Sequence, residues 1–146
     1  MNGPILCFMG VNRFLSNFWP CNIVFEGESY RSVEAAYVAS KTTDPEIRAQ
    51  VRRLQTSGDC KKFGKTIKLR EDFSGIKLNV MKYLVSYKFS NKNPELMQRL
   101  IDTGDRELIE GNDWGDVYWG VCNGVGENHL GKILMEVREE LKAFQI

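Results

Sequence analysis

Histidine is nearly absent from this chain. His129 is the single one in 146 residues, so a metal centre built on imidazoles is not expected. Cysteine is sparse too: Cys7, Cys21, Cys60 and Cys122 stand far apart with no CxxC pair, which argues against a zinc site and for reduced thiols in the cytoplasm. No run approaches the roughly 18 apolar residues of a membrane span, and no basic segment followed by an apolar one opens the sequence, so neither an anchor nor a secretory signal is expected. Excess charge is missing as well. A net charge of +1 supplies no field to hold long nucleic acid through its phosphates, so no stable nucleic-acid complex is expected, although a local basic pocket remains open. Repeats, low-complexity tracts and Pro/Ser-rich linkers are lacking, and one domain over 1–146 is the economical reading.

The pattern that is present reads as α+β, predominantly helical, with a small N-terminal hairpin or sheet packed on a helical bundle. "PILCFM" and "NIVFEGESYR" read as short strands, the latter turning around a glycine at Glu26–Glu28. Ser32 caps a helix from Val33 to about Lys41, and Asp44-Pro45 starts another that runs to about Gln55. Asn93-Pro94 repeats the device ahead of a helix ending near Thr103-Gly104. Between them Ile76, Val80, Tyr83, Leu84 and Tyr87 share one face of a long core helix. At the C-terminus Leu130, Ile133, Leu134, Val137, Leu141 and Phe144 recur at helical steps, with Asn128 as the cap.

Three stretches carry candidate chemistry. "EGNDWGDVYWG", Glu110 to Gly120, holds three large aromatics, three acidic residues and three glycines in eleven residues, too much glycine and Asp/Asn for a regular element. Such a loop either binds or plugs the core with Trp114 and Trp119. In "YRSVEAAYVASK", Glu34, Tyr37, Val38 and Lys41 share a helical stripe among small residues. Glu34 and Lys41 lie about 10 Å apart along the axis, beyond comfortable pairing reach, so each needs another partner there. "CKKFGKTIKLR" carries five cations in eleven residues, among them Lys68 and Arg70, which are candidates for a substrate phosphate. Two further features are weighed. "GENHLGKI" mimics a phosphate loop, but Leu130 and Ile133 belong to the apolar stripe, so Lys132 points away; what survives is a glycine-rich loop whose free amides at a helix start can bind an anion, with His129 beside it. Arg138 reads as a local ion pair with Glu136 and Glu139 on a helix surface.

Taken together, "FLSNF" with Pro20, "YRSVEAAYVASK", "FGKTIKLREDF" followed by "IKLNVMKYLVSYKF", then Asp116, "YWG" and "GENHLGKILMEVRE" stand in an order and spacing that resembles the YbiA-like, or NADAR, family over nearly the whole chain. Ala35 stands where a histidine often follows the family glutamate, and Phe73 where a tryptophan is expected. The resemblance implies a YbiA-like fold and hydrolysis of an N-glycosidic bond. The substrates it implies are ribosylaminopyrimidine phosphates of the riboflavin pathway or, alternatively, guanine carrying ADP-ribose. It maps the polar site onto Asn17, Glu34, Lys41, Asp116 and Asn128, with Trp119 as the neighbouring aromatic; Tyr118 and Gly120 of the same "YWG" run are further candidates for substrate binding.

Breaking a ribosyl C1–N bond passes through an oxocarbenium-like centre. That needs a carboxylate near C1, a group to manage protons and a surface to stack the base, and it needs no metal or cofactor. The expectation is therefore a metal-independent N-glycosidase acting on a small phosphorylated ribosyl substrate or ADP-ribosylated guanine. Glu34 and Asp116 converge on C1 in this expectation. Lys41 holds phosphate or protonates the leaving group, and its amine is also suited to a Schiff base with the opened ribose. Against it stands a binding module that reads ADP-ribose or a nucleotide without cleaving it.

Overall fold

The computed structural model describes residues 3–144. The chain divides into two compact units, one from Asn17 to Lys88, the other formed by the residues up to Ser16 and those from Phe89 onward.

In the central unit, β1 (Ile23–Phe25) pairs antiparallel with β2 (Glu28–Tyr30), with Ile23 opposite Tyr30 and Phe25 opposite Glu28. Glu26 and Gly27 both have positive φ, 48° and 86°, which is the two-residue turn that matches the twist of a hairpin. Ile23, Phe25 and Tyr30 form its buried face. Helix α1 (Val33–Ala39) is the middle of this unit, and all its residues except Glu34 are buried. Ser32 caps it by accepting from the Ala35 amide at 3.1 Å, and Asp44 caps α2 (Pro45–Arg53) through the Glu46 amide at 2.9 Å, both as the sequence indicates.

A helix absent from the sequence reading is α3 (Ser57–Gly64), capped by Thr56 through the Asp59 amide at 3.0 Å. Its signal was the threonine three residues ahead of an acid, masked by the density of lysines that follows. It lies against α1.

Helix α4 (Phe73–Lys88) covers the expected span with a rotated face: Phe73, Met81, Leu84, Val85 and Lys88 are the buried residues. Tyr83 is 47% exposed. Its ring leans on Phe25 at 6.2 Å and its hydroxyl donates to the Val24 carbonyl at 3.1 Å. The amphipathic tyrosine roofs the hairpin rather than entering the core, because its hydroxyl needs a partner at the edge.

In the other unit, the expected strand at 4–9 shrinks to a single parallel bridge, Ile5 with Leu108, in which the Ile5 amide donates to the Glu107 carbonyl and its carbonyl accepts from the Ile109 amide. A 3-10 turn over Gly10–Leu15 follows and buries Phe14, whose ring meets Phe89 edge-on and carries the Arg99 guanidinium 4.1 Å above it. Helix α5 (Pro94–Asp102) begins at the expected proline, although the Asn93 side chain makes no capping bond. It packs on α6 (His129–Ala143). Leu130, Ile133, Leu134 and Val137 are buried as expected, whereas Phe144 is 88% exposed.

Arg138 is a correction. It is 4% exposed, and its Nη1 donates to the Thr103 hydroxyl at 2.8 Å instead of lying in an acidic surface pair. Position 138 follows Leu134 and Val137 on the buried stripe, so the guanidinium goes inside with the apolar residues around it, and burial pushes its pKa down. No helix among the described residues is long and apolar enough to cross a membrane.

Candidate functional site

In the central unit the first turn of α1 presents Glu34, half-buried, at the positive end of the helix. Its amide donates to the Asn17 carbonyl at 3.0 Å, so the segment at Asn17 is clasped to this turn; the Asn17 side chain reaches Met81 Sδ at 3.6 Å. Lys41 follows the other end of α1. Its carbonyl accepts from the Arg70 amide at 2.8 Å, and its Nζ lies 5.8 Å from the centre of the Tyr37 ring. Phe73 packs on that ring at 5.5 Å, so the residue standing in for a tryptophan completes an aromatic wall beside the lysine.

The electrostatics join the two charges. Burial pushes the Lys41 pKa down from its ordinary 10.5, the Glu34 carboxylate opposes that, and the ammonium groups of Lys61 and Lys65 reinforce it. Glu34 lies in the first turn of α1 and Lys41 just beyond its end, and the carboxylate is felt at the ammonium as a through-space charge.

The two candidate phosphate ligands differ in their commitments. Arg70 is engaged: its Nε and Nη2 grip both Asp72 oxygens at 2.6 and 3.0 Å. Lys68 is exposed.

In the other unit the loop at 110–120 is irregular, as expected, and its architecture is a set of side-chain-to-backbone bonds. A two-residue strand β3 (Gly111–Asn112) runs parallel to β4 (Val121–Cys122). Asn112 fastens the intervening turn, accepting from the Asp116 amide at 3.0 Å and donating to the Asp116 carbonyl at 2.9 Å. Asp116 Oδ1 in turn accepts from the amides of Tyr118 and Trp119 at 3.2 and 3.0 Å. Its carboxylate thereby holds the backbone turn that carries Tyr118 and Trp119. These rings meet edge-on at 4.8 Å, and Tyr118 also lies 4.5 Å from His129, whose Nε2 sits 3.1 Å from Glu127. Burial and the Glu127 charge push the Tyr118 pKa up. Trp114, by contrast, is 57% exposed and borders a shallow, mostly apolar cavity of about 610 Å³ beside Leu6, Met9 and Asn112.

The expectation of an anion cradle at the start of α6 fails. The amides of Glu127, Asn128, His129 and Leu130 donate to the carbonyls of Val117, Gly120, Tyr118 and Trp119 at 2.8 to 3.2 Å, so these helix-start donors already have partners. Gly120 serves close approach: a Cβ there would strike the Glu110 carbonyl oxygen.

Asn128 does not cap with its side chain either. Sitting at φ 53°, buried, it accepts from the Glu110 amide and donates to the Leu108 carbonyl, each at 3.0 Å. Its side chain is a structural bolt between the helix start and the 108–110 segment. Asn128→Ala orphans both backbone groups and is expected to cost about 2–4 kcal/mol. Chemical denaturation reads this, and a loss under about 1 kcal/mol would refute the role.

Among the described residues no group of three or more His, Cys, Asp or Glu is placed to hold a metal ion.

Comparison with known proteins gives the family and the fold. The NADAR domain family model matches residues 7–142. A riboflavin biosynthesis protein of Vibrio vulnificus is 37% identical over 132 residues, covering 88% of this chain but only 35% of that protein, so the chain spans about a third of that relative's length. An N-glycosidase of Nostoc punctiforme is 35% identical, with 87% of this chain and 84% of the relative covered. N-glycosidase YbiA of Shigella boydii is 33% identical, with 86% and 79% covered. The solved structure of the Escherichia coli protein YbiA superposes with a TM-score of 0.83 at 29% identity, covering 96% of this chain and 84% of that one. With its α+β fold and a family match across residues 7–142, the chain belongs to the NADAR family, alongside the N-glycosidases it resembles.

Proposed function

We propose that this chain is a metal-independent N-glycosidase that hydrolyses the bond between ribosyl C1 and the amine nitrogen of ribosylaminopyrimidine phosphates. The observation that carries the reading is helix α1, which presents a half-buried carboxylate, Glu34, in its first turn and is followed by a half-buried amine, Lys41, set 5.8 Å from the Tyr37 ring on which Phe73 packs. The names of the relatives, N-glycosidases and a riboflavin biosynthesis protein, support an N-glycosidic bond and a riboflavin-pathway setting, and the ribosylaminopyrimidine phosphate is the substrate proposed within them.

As the C1–N bond breaks, its electron pair leaves with nitrogen and positive charge spreads over C1 and the ring oxygen. The Glu34 carboxylate stabilises that charge and takes a proton from the water whose oxygen adds to C1. Lys41 delivers a proton to the departing nitrogen, a transfer that its lowered pKa favours, and recovers one from Glu34 afterwards. The products are a ribose phosphate and the free amine.

A chromatographic assay without added metal, on a ribosylaminopyrimidine phosphate and on an oligonucleotide bearing ADP-ribosyl guanine, separates the substrate classes. Ribose phosphate is expected from the first and no change in the second. Cleavage of the oligonucleotide alone would transfer the assignment to ADP-ribosyl guanine; cleavage of neither would overturn the enzyme reading.

A further inference from the structure

Arg48 belongs to the charged run of α2, yet its side chain is only 14% exposed and reaches to the end of α1 and to the hairpin. Its Nε carries a single hydrogen and donates it to two carbonyls at once, that of Ala39 at 3.1 Å and that of Thr42 at 2.9 Å. The far end of the side chain is held elsewhere. Nη1 pairs with Glu26 Oε1 in the hairpin turn at 2.6 Å, and the guanidinium lies 5.3 Å from the centre of the Phe25 ring.

The two carbonyls bracket Lys41. Ala39 is the last residue of α1, where carbonyls run out of helical partners, and the chain turns there through the Thr42 amide, which donates to the Ala39 carbonyl at 3.3 Å. Inside the bracket the Lys41 amide donates to the Val38 carbonyl at 3.1 Å, and the Lys41 carbonyl accepts from the Arg70 amide at 2.8 Å. The carbonyls of residues 39, 41 and 42 are thus all fixed, two of them by one nitrogen of Arg48. Because peptide units are planar, fixing them sets the direction in which the Lys41 side chain leaves the backbone. At its end the amine occupies a narrow place, 5.8 Å from the centre of the Tyr37 ring and 3.4 Å from where a Cβ on Gly64 would stand. A change of direction at the backbone is carried out along the side chain, so the amine leaves that place when the turn relaxes.

We propose that Arg48 is a positioning residue for Lys41: by holding the carbonyls of Ala39 and Thr42 together, its Nε fixes the turn from which the lysine acts. This rests on the assignment of Lys41 as the proton donor to the leaving nitrogen. Arg48 touches no substrate in this role; it supplies the direction of the lysine, and a misplacement of about 1 Å at a reacting group lowers a rate about 10²-fold. The burial that pushes the Lys41 pKa down belongs to the same position of the amine.

Three variants separate the Nε bonds from the rest of the side chain. In glutamine the amide nitrogen is attached at Cδ, as Nε is in arginine, so Arg48→Gln keeps a donor at that place while losing the Glu26 pair and the Phe25 contact. Arg48→Met loses all three, and Glu26→Gln removes the ion pair alone. The reactivity of the Lys41 amine is followed against pH by competitive reductive methylation and mass spectrometry, which needs no turnover, with thermal melting of each variant alongside. In Arg48→Met the Lys41 titration is expected to move up toward the ordinary 10.5 as the amine gains water. In the hydrolysis assay the same variant lowers kcat about tenfold or more and leaves KM within about twofold. Arg48→Gln and Glu26→Gln are expected to keep the wild-type titration and to stay within about threefold of wild-type kcat. A wild-type Lys41 titration in Arg48→Met, or an Arg48→Gln as damaged as Arg48→Met, would overturn the proposal. So would an Arg48→Met chain that fails to fold while the other two fold, because the bonds would then serve the fold alone. A titration displaced in Arg48→Met and restored in Arg48→Gln, in a protein that cleaves neither substrate, would retain this inference and lose the enzymatic one.

Discussion

Glu34→Gln lowers the single-turnover rate of N-glycoside hydrolysis by about 10²–10⁴-fold, the range associated with removing a positioned acid–base group. The amide keeps the shape of the side chain but can neither take a proton from water nor stabilise a cation at C1. Stability moves much less, because a carboxylate in the first turn of a helix contributes only about 0.3–1 kcal/mol through the helix dipole. A second signature follows from the neighbour. The Glu34 charge supports the Lys41 ammonium against desolvation and against Lys61 and Lys65. Removing it lowers the Lys41 pKa further, so whatever activity remains in Glu34→Gln declines at a lower pH on the alkaline side than it does in wild type. A variant that keeps wild-type rate, or loses rate with an alkaline limb displaced upward, would remove Glu34 from the chemistry.

Gly131→Ala destabilises the protein by about 3 kcal/mol, against the sign that helix propensity alone assigns. Within α6, alanine for glycine should stabilise by about 1 kcal/mol. The turn at 131, however, lies directly against the 108–110 segment: an added Cβ would overlap the Leu108 carbonyl oxygen and both terminal atoms of the Asn128 amide. Backbone cannot yield as a flexible side chain can, and displacing Asn128 breaks the two bonds that bolt the helix start in place. For a chain of this length the melting temperature should fall by about 6–12 °C. A melting temperature at or above that of wild type would show that the close approach is not part of the folded state.

Much of the secondary structure was readable locally. Ser32 and Asp44 cap the helices they precede, the Glu26–Gly27 turn closes the hairpin, and the apolar stripe of α6 is buried through Val137. Each depends on a few neighbouring residues and on backbone preferences that need no distant partner. Failures came where long-range packing chose among locally acceptable options. The α4 face rotated because the hairpin claimed Tyr83 as a roof, and Arg138 went inside because Thr103, 35 residues away, supplies its hydrogen bond. The glycine-rich run into α6 looked like an anion cradle until the carbonyls of 117–120 took its amides.

The same division runs through the site. Residue order and spacing alone were enough to identify the family and to nominate Glu34, Lys41, Asp116 and Asn128, because motif order is a property of the one-dimensional chain. Sequence could not assign the work each does, since an Asn or Asp that grips backbone amides reads the same as one that grips a ligand. Tertiary structure shows Asn128 binding the backbone of the 108–110 segment and Asp116 Oδ1 accepting from the Tyr118 and Trp119 amides. It also brought α3, through Gly64, against α1, so that Lys61, twenty residues beyond Lys41, shares its electrostatic surroundings. The physical reason is range: caps and turns are set within one turn of chain, whereas pKa shifts, burial and charge clusters are set by whatever the fold brings close.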